Sequence, residues 1–175
     1  MKPVISFVLL GIASLAVAQG GHDSKAADAL KKLSVLEGDW KGKQNFNNPG
    51  GPAMVGDITL HAHAVIGGRY FEELLSTSLP GRKPTDSRHY IGFDSAAGKF
   101  KAWWFNDTSN IPMQLEGTLD GNKLVLMTSP GPDGTIAGPT FRATYDFASD
   151  HALNYVLELK TGEDWRALFH SNYTK

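Results

Sequence analysis

The chain has 175 residues, 17 Lys and Arg against 18 Asp and Glu, and no cysteine. Balanced charge with scattered basic residues leaves no stripe for nucleic acid and no patch for electrostatic docking on a membrane. The missing cysteines exclude disulfides and a lipid-anchored lipoprotein, so the fold must stand on its core and its hydrogen-bond ladders.

The N-terminus reads as an export signal. Lys2 supplies a positive start, Val4 to Val17 is apolar but short for a bilayer span, and Ala16-Val17-Ala18 fits the small-x-small cleavage rule. This predicts a signal peptide over 1–18 and a mature protein from Gln19, periplasmic or secreted, as a monomer or small oligomer. No later run is long and apolar enough for a transmembrane helix, so no integral membrane segment is expected after cleavage. Residues 19–37 form a lead and a helix: Asp23 or Ser24 can cap it, and Ala26, Leu30, Leu33 and Leu36 share one face up to about Glu37. Gly38 ends it. Such a helix is expected to lie across a barrel end or wall.

From residue 38 to 175 the pattern changes to alternation of apolar and polar residues. Runs near 38–46, 55–65, 69–78, 87–94, 99–106, 112–119, 123–129, 140–148, 152–160 and 163–173 are separated by turn residues such as Gly67-Gly68, Pro80-Gly81, Asp120-Gly121 and Thr161-Gly162. The connections are too short for crossover helices, which excludes a parallel α/β arrangement. A meander this long closes on itself, so the expected fold is all-β: one antiparallel up-and-down barrel of about eight to ten strands with one N-terminal helix. Alternation also assigns faces. Leu153, Tyr155, Leu157 and Leu159 share a side, and the lysine-free set Phe100, Ala102, Trp104 and Asn106 turns inward. Trp103 and Phe105 then face out and need cover, for which the N-terminal helix is the candidate.

Leu33-Ser34-Val35-Leu36-Glu37-Gly38-Asp39-Trp40-Lys41-Gly42 resembles the opening of a bacterial domain-of-unknown-function family, number fifteen seventy-nine. Ile66-Gly67-Gly68-Arg69-Tyr70, Tyr90-Ile91-Gly92-Phe93-Asp94, Trp104-Phe105-Asn106-Asp107 and Asn172-Tyr173-Thr174-Lys175 continue the match in order. The resemblance implies a calycin-like, lipocalin-related barrel and no particular activity. More distantly, Leu-x-Gly-x-Trp-x-Gly resembles the nitrobindin-type haem-binding barrels, which hold iron through a histidine near the C-terminus. The ligand histidine of that group aligns with Leu168, and His170 is expected two positions on along the same face. Haem is therefore an alternative to a protein without a cofactor.

His61-Ala62-His63 places two imidazoles on one side of a strand, but the apolar set Ile58, Leu60, Ala62 and Ala64 takes the other side. A zinc site needs three or four ligands, so these histidines read as water-facing and no metal site is expected. Arg69 and Glu73 are spaced to share a strand face, where the guanidinium meets either a ligand carboxylate or a side-chain one. Trp40, Trp103, Trp104, Tyr155 and Trp165 either line a pocket or fill the core. No nucleophile elbow, phosphate loop, dinucleotide glycine pattern or zinc-protease helix is present, and no catalytic residue is assigned. The functional expectation is an exported barrel binding a small lipophilic or amphipathic molecule near Arg69, Trp104, Asn106, Tyr155 and His170. The alternatives are an interaction protein with a filled barrel, working through the loops 80–84 and 130–139, and an acid–base enzyme using a carboxylate or His170 at the barrel mouth, with Arg69 as the electrophilic partner. The sequence leans away from an enzyme.

Overall fold

The computed structural model describes residues 23–47, 50–131, 133–136 and 138–175. The expected signal segment lies outside the described residues. Ten strands follow a short helical segment: β1 (Gly38–Phe46), β2 (Met54–Val65), β3 (Tyr70–Ser78), β4 (Thr85–Asp94), β5 (Lys99–Asn106), β6 (Ser109–Asp120), β7 (Lys123–Thr128), β8 (Phe141–Ser149), β9 (Ala152–Thr161) and β10 (Asp164–Thr174). Each pairs antiparallel with its sequence neighbour, and β1 pairs with β10 to close the barrel. Closure satisfies every edge that a ten-strand sheet would otherwise leave open. The period-two pattern translates directly into burial. On β2, Gly56, Ile58, Leu60 and Ala62 are buried between exposed Val55, Asp57, Thr59 and His61, while Ala64 is exposed where the strand leaves the barrel. Gly117 is required by the curvature: a Cβ there would lie 1.8 Å from the carbonyl oxygen of Val125 on the neighbouring strand.

The helix α1 (Ser24–Lys31) starts where Asp23 accepts hydrogen bonds from the backbone N–H of Lys25 and Ala26. It is shorter than the expected 24–37 helix. After a turn at Lys32-Leu33 the chain tightens into one 3-10 turn, Ser34–Leu36. Residues three apart eclipse in that geometry, which stacks Leu33 and Leu36 on one side. Both are fully buried, joined by Leu30 and Trp40. The Trp40 indole N–H donates to the Leu36 carbonyl at 2.7 Å, and Lys175 reaches the Val35 carbonyl at 3.0 Å while sitting over the Trp40 ring. The segment thus plugs one barrel end.

Because β1 starts at the plug and the strands alternate in direction, the connections 66–69, 95–98, 121–122 and 150–151 lie at the plugged end. Those at 79–84, 107–108 and 162–163, with the described parts of 47–53 and 129–140, lie at the open end. Trp103 and Phe105 face outward as expected, but their neighbours come from adjoining strands. Tyr70 lies over Gly92 and meets Trp103 edge-on at 6.2 Å, while Tyr90 meets Phe105 at 6.3 Å and leaves it 45% exposed. The helix lies against β4, where Lys25 donates to the Ser95 carbonyl.

Candidate functional site

The plug fills only one half of the interior. In the other half a cavity of about 400 Å³ opens between the 79–84 loop and the ends of β1, β2 and β5. Its walls are apolar, with Leu75, Met113, Leu157 and Phe169. Its floor is formed by Trp104, Tyr155, Tyr173, Gln44 and His89. Arg82, Lys83, Asn106 and Thr108 sit toward the mouth. Larger depressions run along the outside, one of about 870 Å³ past Asp39, His61 and Phe105 and one of about 1080 Å³ past Ile111 and Pro130, but both are open to solvent. Of these three, the barrel cavity is the most enclosed.

Strand register builds the floor as two facing rows. Across one wall Ala62 pairs with Glu73, Glu73 with His89 and His89 with Trp104. Across the other Tyr145 pairs with Tyr155, Tyr155 with Ser171 and Ser171 with Gln44. Between the rows lies a buried polar cluster. Oε2 of Glu73, a residue with no solvent exposure, accepts from the Tyr145 hydroxyl and from His89 Nδ1, each at 3.0 Å. A carboxylate only accepts, so Nδ1 is the donor and Nε2 is left as the ring's free nitrogen. The imidazole stacks on Trp104 with centroids 4.5 Å apart and planes within 16°. Tyr155 meets Trp104 at 6.1 Å, Tyr145 at 4.8 Å and Phe169 at 5.9 Å. Burial pushes the hydroxyls of Tyr145, Tyr155 and Tyr173 above the usual phenol range, and the charge of Glu73 adds to this at Tyr145 and Tyr173. All three are neutral phenols at physiological pH, and that of Tyr145 donates to Glu73.

Three of the five residues read from the sequence, Trp104, Asn106 and Tyr155, meet in this cavity. The other two do not. Arg69 is exposed in the turn at the plugged end, so it neither reaches the cavity nor shares a face with inward Glu73. His170 is exposed on the outer face of β10. A register shift between Ala167 and Phe169 resets the alternation, so Phe169, Ser171 and Tyr173 point inward instead. With Phe169 at the cavity wall, β10 offers no imidazole to an iron, and these residues do not fit the haem arrangement implied by the distant resemblance. His61 and His63 both face outward, at 2.7 Å from Asp39 and 3.3 Å from Glu72 respectively.

Glu73, His89 and Tyr145 are the functional candidates that sequence reasoning missed. Glu72-Glu73-Leu74-Leu75 offers one acid and one leucine to each face, so alternation alone cannot say which carboxylate goes in. The signal available was register: a charge on the inward parity of β3 must find a partner on an adjacent strand, and His89 is the residue opposite.

The sequence profile of the family described as "Protein of unknown function (DUF1579)" matches residues 26–175. The chain belongs to this family. Among curated proteins the DUF1579 chain is similar to "Highly reducing polyketide synthase claI" of Penicillium crustosum, 29% identical over 122 residues. That match takes in 62% of this chain but only 5% of the synthase's length. Among solved structures it is similar to Rv2717c from M. tuberculosis, with a TM-score of 0.65 and 18% identity over 84% of this chain and 96% of that one. It is also similar to the S-type phycobiliprotein lyase CPES from Guillardia theta, with a TM-score of 0.55 and 10% identity over 86% and 93% of the two chains. At these identities the likeness is one of fold: a barrel of the same kind.

Proposed function

We propose that this DUF1579 protein binds a small lipophilic or amphipathic molecule in the open half of its barrel. The observation that carries the reading is the cavity of about 400 Å³ inside a closed sheet whose other end is sealed by leucines. This volume lies within the range of small-molecule pockets, and its lining has their usual make-up, apolar and aromatic walls with a few polar groups. A barrel serving only as a rigid platform for loops has no need of an interior left open, since unfilled space forfeits dispersion contacts. Arg82 and Lys83 at the mouth suit a polar or anionic end, while Trp104, Tyr155 and Phe169 suit a flat apolar body. The apolar run before Ala18 supports a place of action outside the cytoplasm, in the periplasm or beyond.

Native mass spectrometry of protein purified from its own host tests the binding reading. The expected result is a non-covalent adduct that is lost on denaturation and absent from Leu157→Trp, in which a larger side chain enters the cavity. Protein at its bare mass, together with identical uptake of apolar probes by wild type and Leu157→Trp, would overturn it.

A further inference from the structure

We infer that the cavity floor is a proton-accepting site for weakly acidic hydroxyl compounds, phenols or enols, with His89 Nε2 as the acceptor and Glu73 and Tyr145 as its positioning residues. The inference rests on the binding reading above and names the chemical class of the molecule bound. Three features carry it. His89 lines the cavity, whereas Glu73 stands behind it, fully buried. The Nδ1–H is committed to Glu73 Oε2 at 3.0 Å, and that oxygen is held in turn by the Tyr145 hydroxyl at 3.0 Å. The stacked Trp104 ring then fixes the plane of the imidazole. A histidine used only to fill space does not need a buried carboxylate to set its tautomer, because removing an acid from water is costly.

The proton step balances within the pair. The ligand O–H bond breaks with its electron pair left on oxygen, a new N–H bond forms at Nε2, and Nδ1–H stays on Glu73. The product is a ligand oxyanion beside an imidazolium, whose charge rests against the Glu73 carboxylate. The other titratable groups facing this point are Tyr145 from β8, Tyr155 from β9 and Tyr173 from β10, all neutral phenols. Among the described residues lining the cavity, the charged side chains are Arg82 and Lys83, toward the mouth.

Acidity selects the ligand class. An ordinary alcohol holds its proton too tightly to yield it to an imidazole. A carboxylic acid is already ionised in water and would enter an apolar cavity as an anion close to Glu73. A phenol or enol distinctly more acidic than the tyrosines around it enters neutral and can pass its proton to Nε2. Its flat ring or conjugated system also matches the walls made by Trp104, Tyr155 and Phe169.

The test uses para-nitrophenol, whose anion absorbs at longer wavelength than its neutral form, and para-nitroanisole, which has no proton to give. Binding of each to the full mature chain is followed by tryptophan quenching. The expected result is that bound para-nitrophenol ionises at least one pH unit lower than in water and binds about tenfold more tightly than the anisole. His89→Gln should abolish the shift, and Glu73→Gln should reduce it by more than half. The wild-type spectrum alone decides if either variant fails to fold. Bound nitrophenol that stays neutral, or ionises at or above its solution midpoint, overturns this inference while leaving the binding reading intact. Failure of both probes to quench tryptophan would overturn both.

Discussion

The two ends of the barrel are made from the same ten strands and put to opposite uses. At the plugged end Leu33, Leu36, Trp40, Leu124 and Leu153 are all at most 1% exposed, and the helical segment fills the bore. At the open end Phe46, Met113, Phe141 and Phe169 are only half-buried, and polar Thr77, Ser87 and Asn106 share the wall with them. Packing is complete at one end, and the open cavity lies where it is not. A single strand shows both regimes: β1 carries Trp40 at the plug and Phe46 at the mouth.

That division gives its largest signal on β1. Trp40→Ala removes a fully buried indole and its bond to Leu36, and should cost about 3–5 kcal/mol of unfolding free energy. Phe46→Ala at the mouth, where the ring is already partly exposed, should cost about 1–2 kcal/mol and alter ligand affinity instead. Urea melts of the two variants measure the contrast; equal losses would erase the distinction between the ends. Next comes the boundary between the two halves. Glu73→Ala leaves the His89 N–H and the Tyr145 hydroxyl buried without a partner, at about 2–4 kcal/mol, whereas Glu73→Gln keeps an acceptor and should cost less than half of that.

Alkaline titration probes the same layer. The folded hydroxyls of Tyr145, Tyr155 and Tyr173 ionise above the unfolded value of about 10, so the folded state binds more protons once the pH passes that value. Their stabilisation is complete below about pH 10 and is withdrawn as the pH rises further, by up to about 1.4 kcal/mol per pH unit for each group. Melts at about pH 8 and about pH 11 should therefore differ steeply; a flat profile would mean that these rings are wet. The smallest effect on stability belongs to the mouth. Arg82→Ala and Lys83→Ala should each stay within about 0.5 kcal/mol of wild type. Each should weaken an anionic amphipath several-fold relative to its neutral analogue, a ratio read by competitive titration.

Much of the architecture was legible because alternation is a local property. All ten runs became strands with ends moved by a few residues, and the lysine-free parity of β5 and the leucine parity of β9 identified Trp104 and Tyr155 as inward. The parts that were not legible depend on non-local geometry. The helix breaks after Lys31 because Leu33 and Leu36 must both enter the barrel end, a demand set by the bore rather than by helix propensity. His170 was misplaced because a bulge inserts one residue and inverts every later face, and nothing in Ala167-Leu168-Phe169 announces it. Arg69 sits in a turn whose end of the barrel follows only from counting strand directions. The Glu73, His89 and Tyr145 cluster joins strands β3, β4 and β8, so it exists only once the sheet has closed.

The central claim is that the open half of the bore is a binding chamber, and fluorescence titration with an uncharged solvatochromic naphthalene dye tests it most directly. Wild type should bind one dye per chain with a blue-shifted, saturable emission, and Leu157→Trp should lose that signal while unfolding at the same urea concentration. Equal dye binding by both proteins would place the dye on the outer surface and contradict the account.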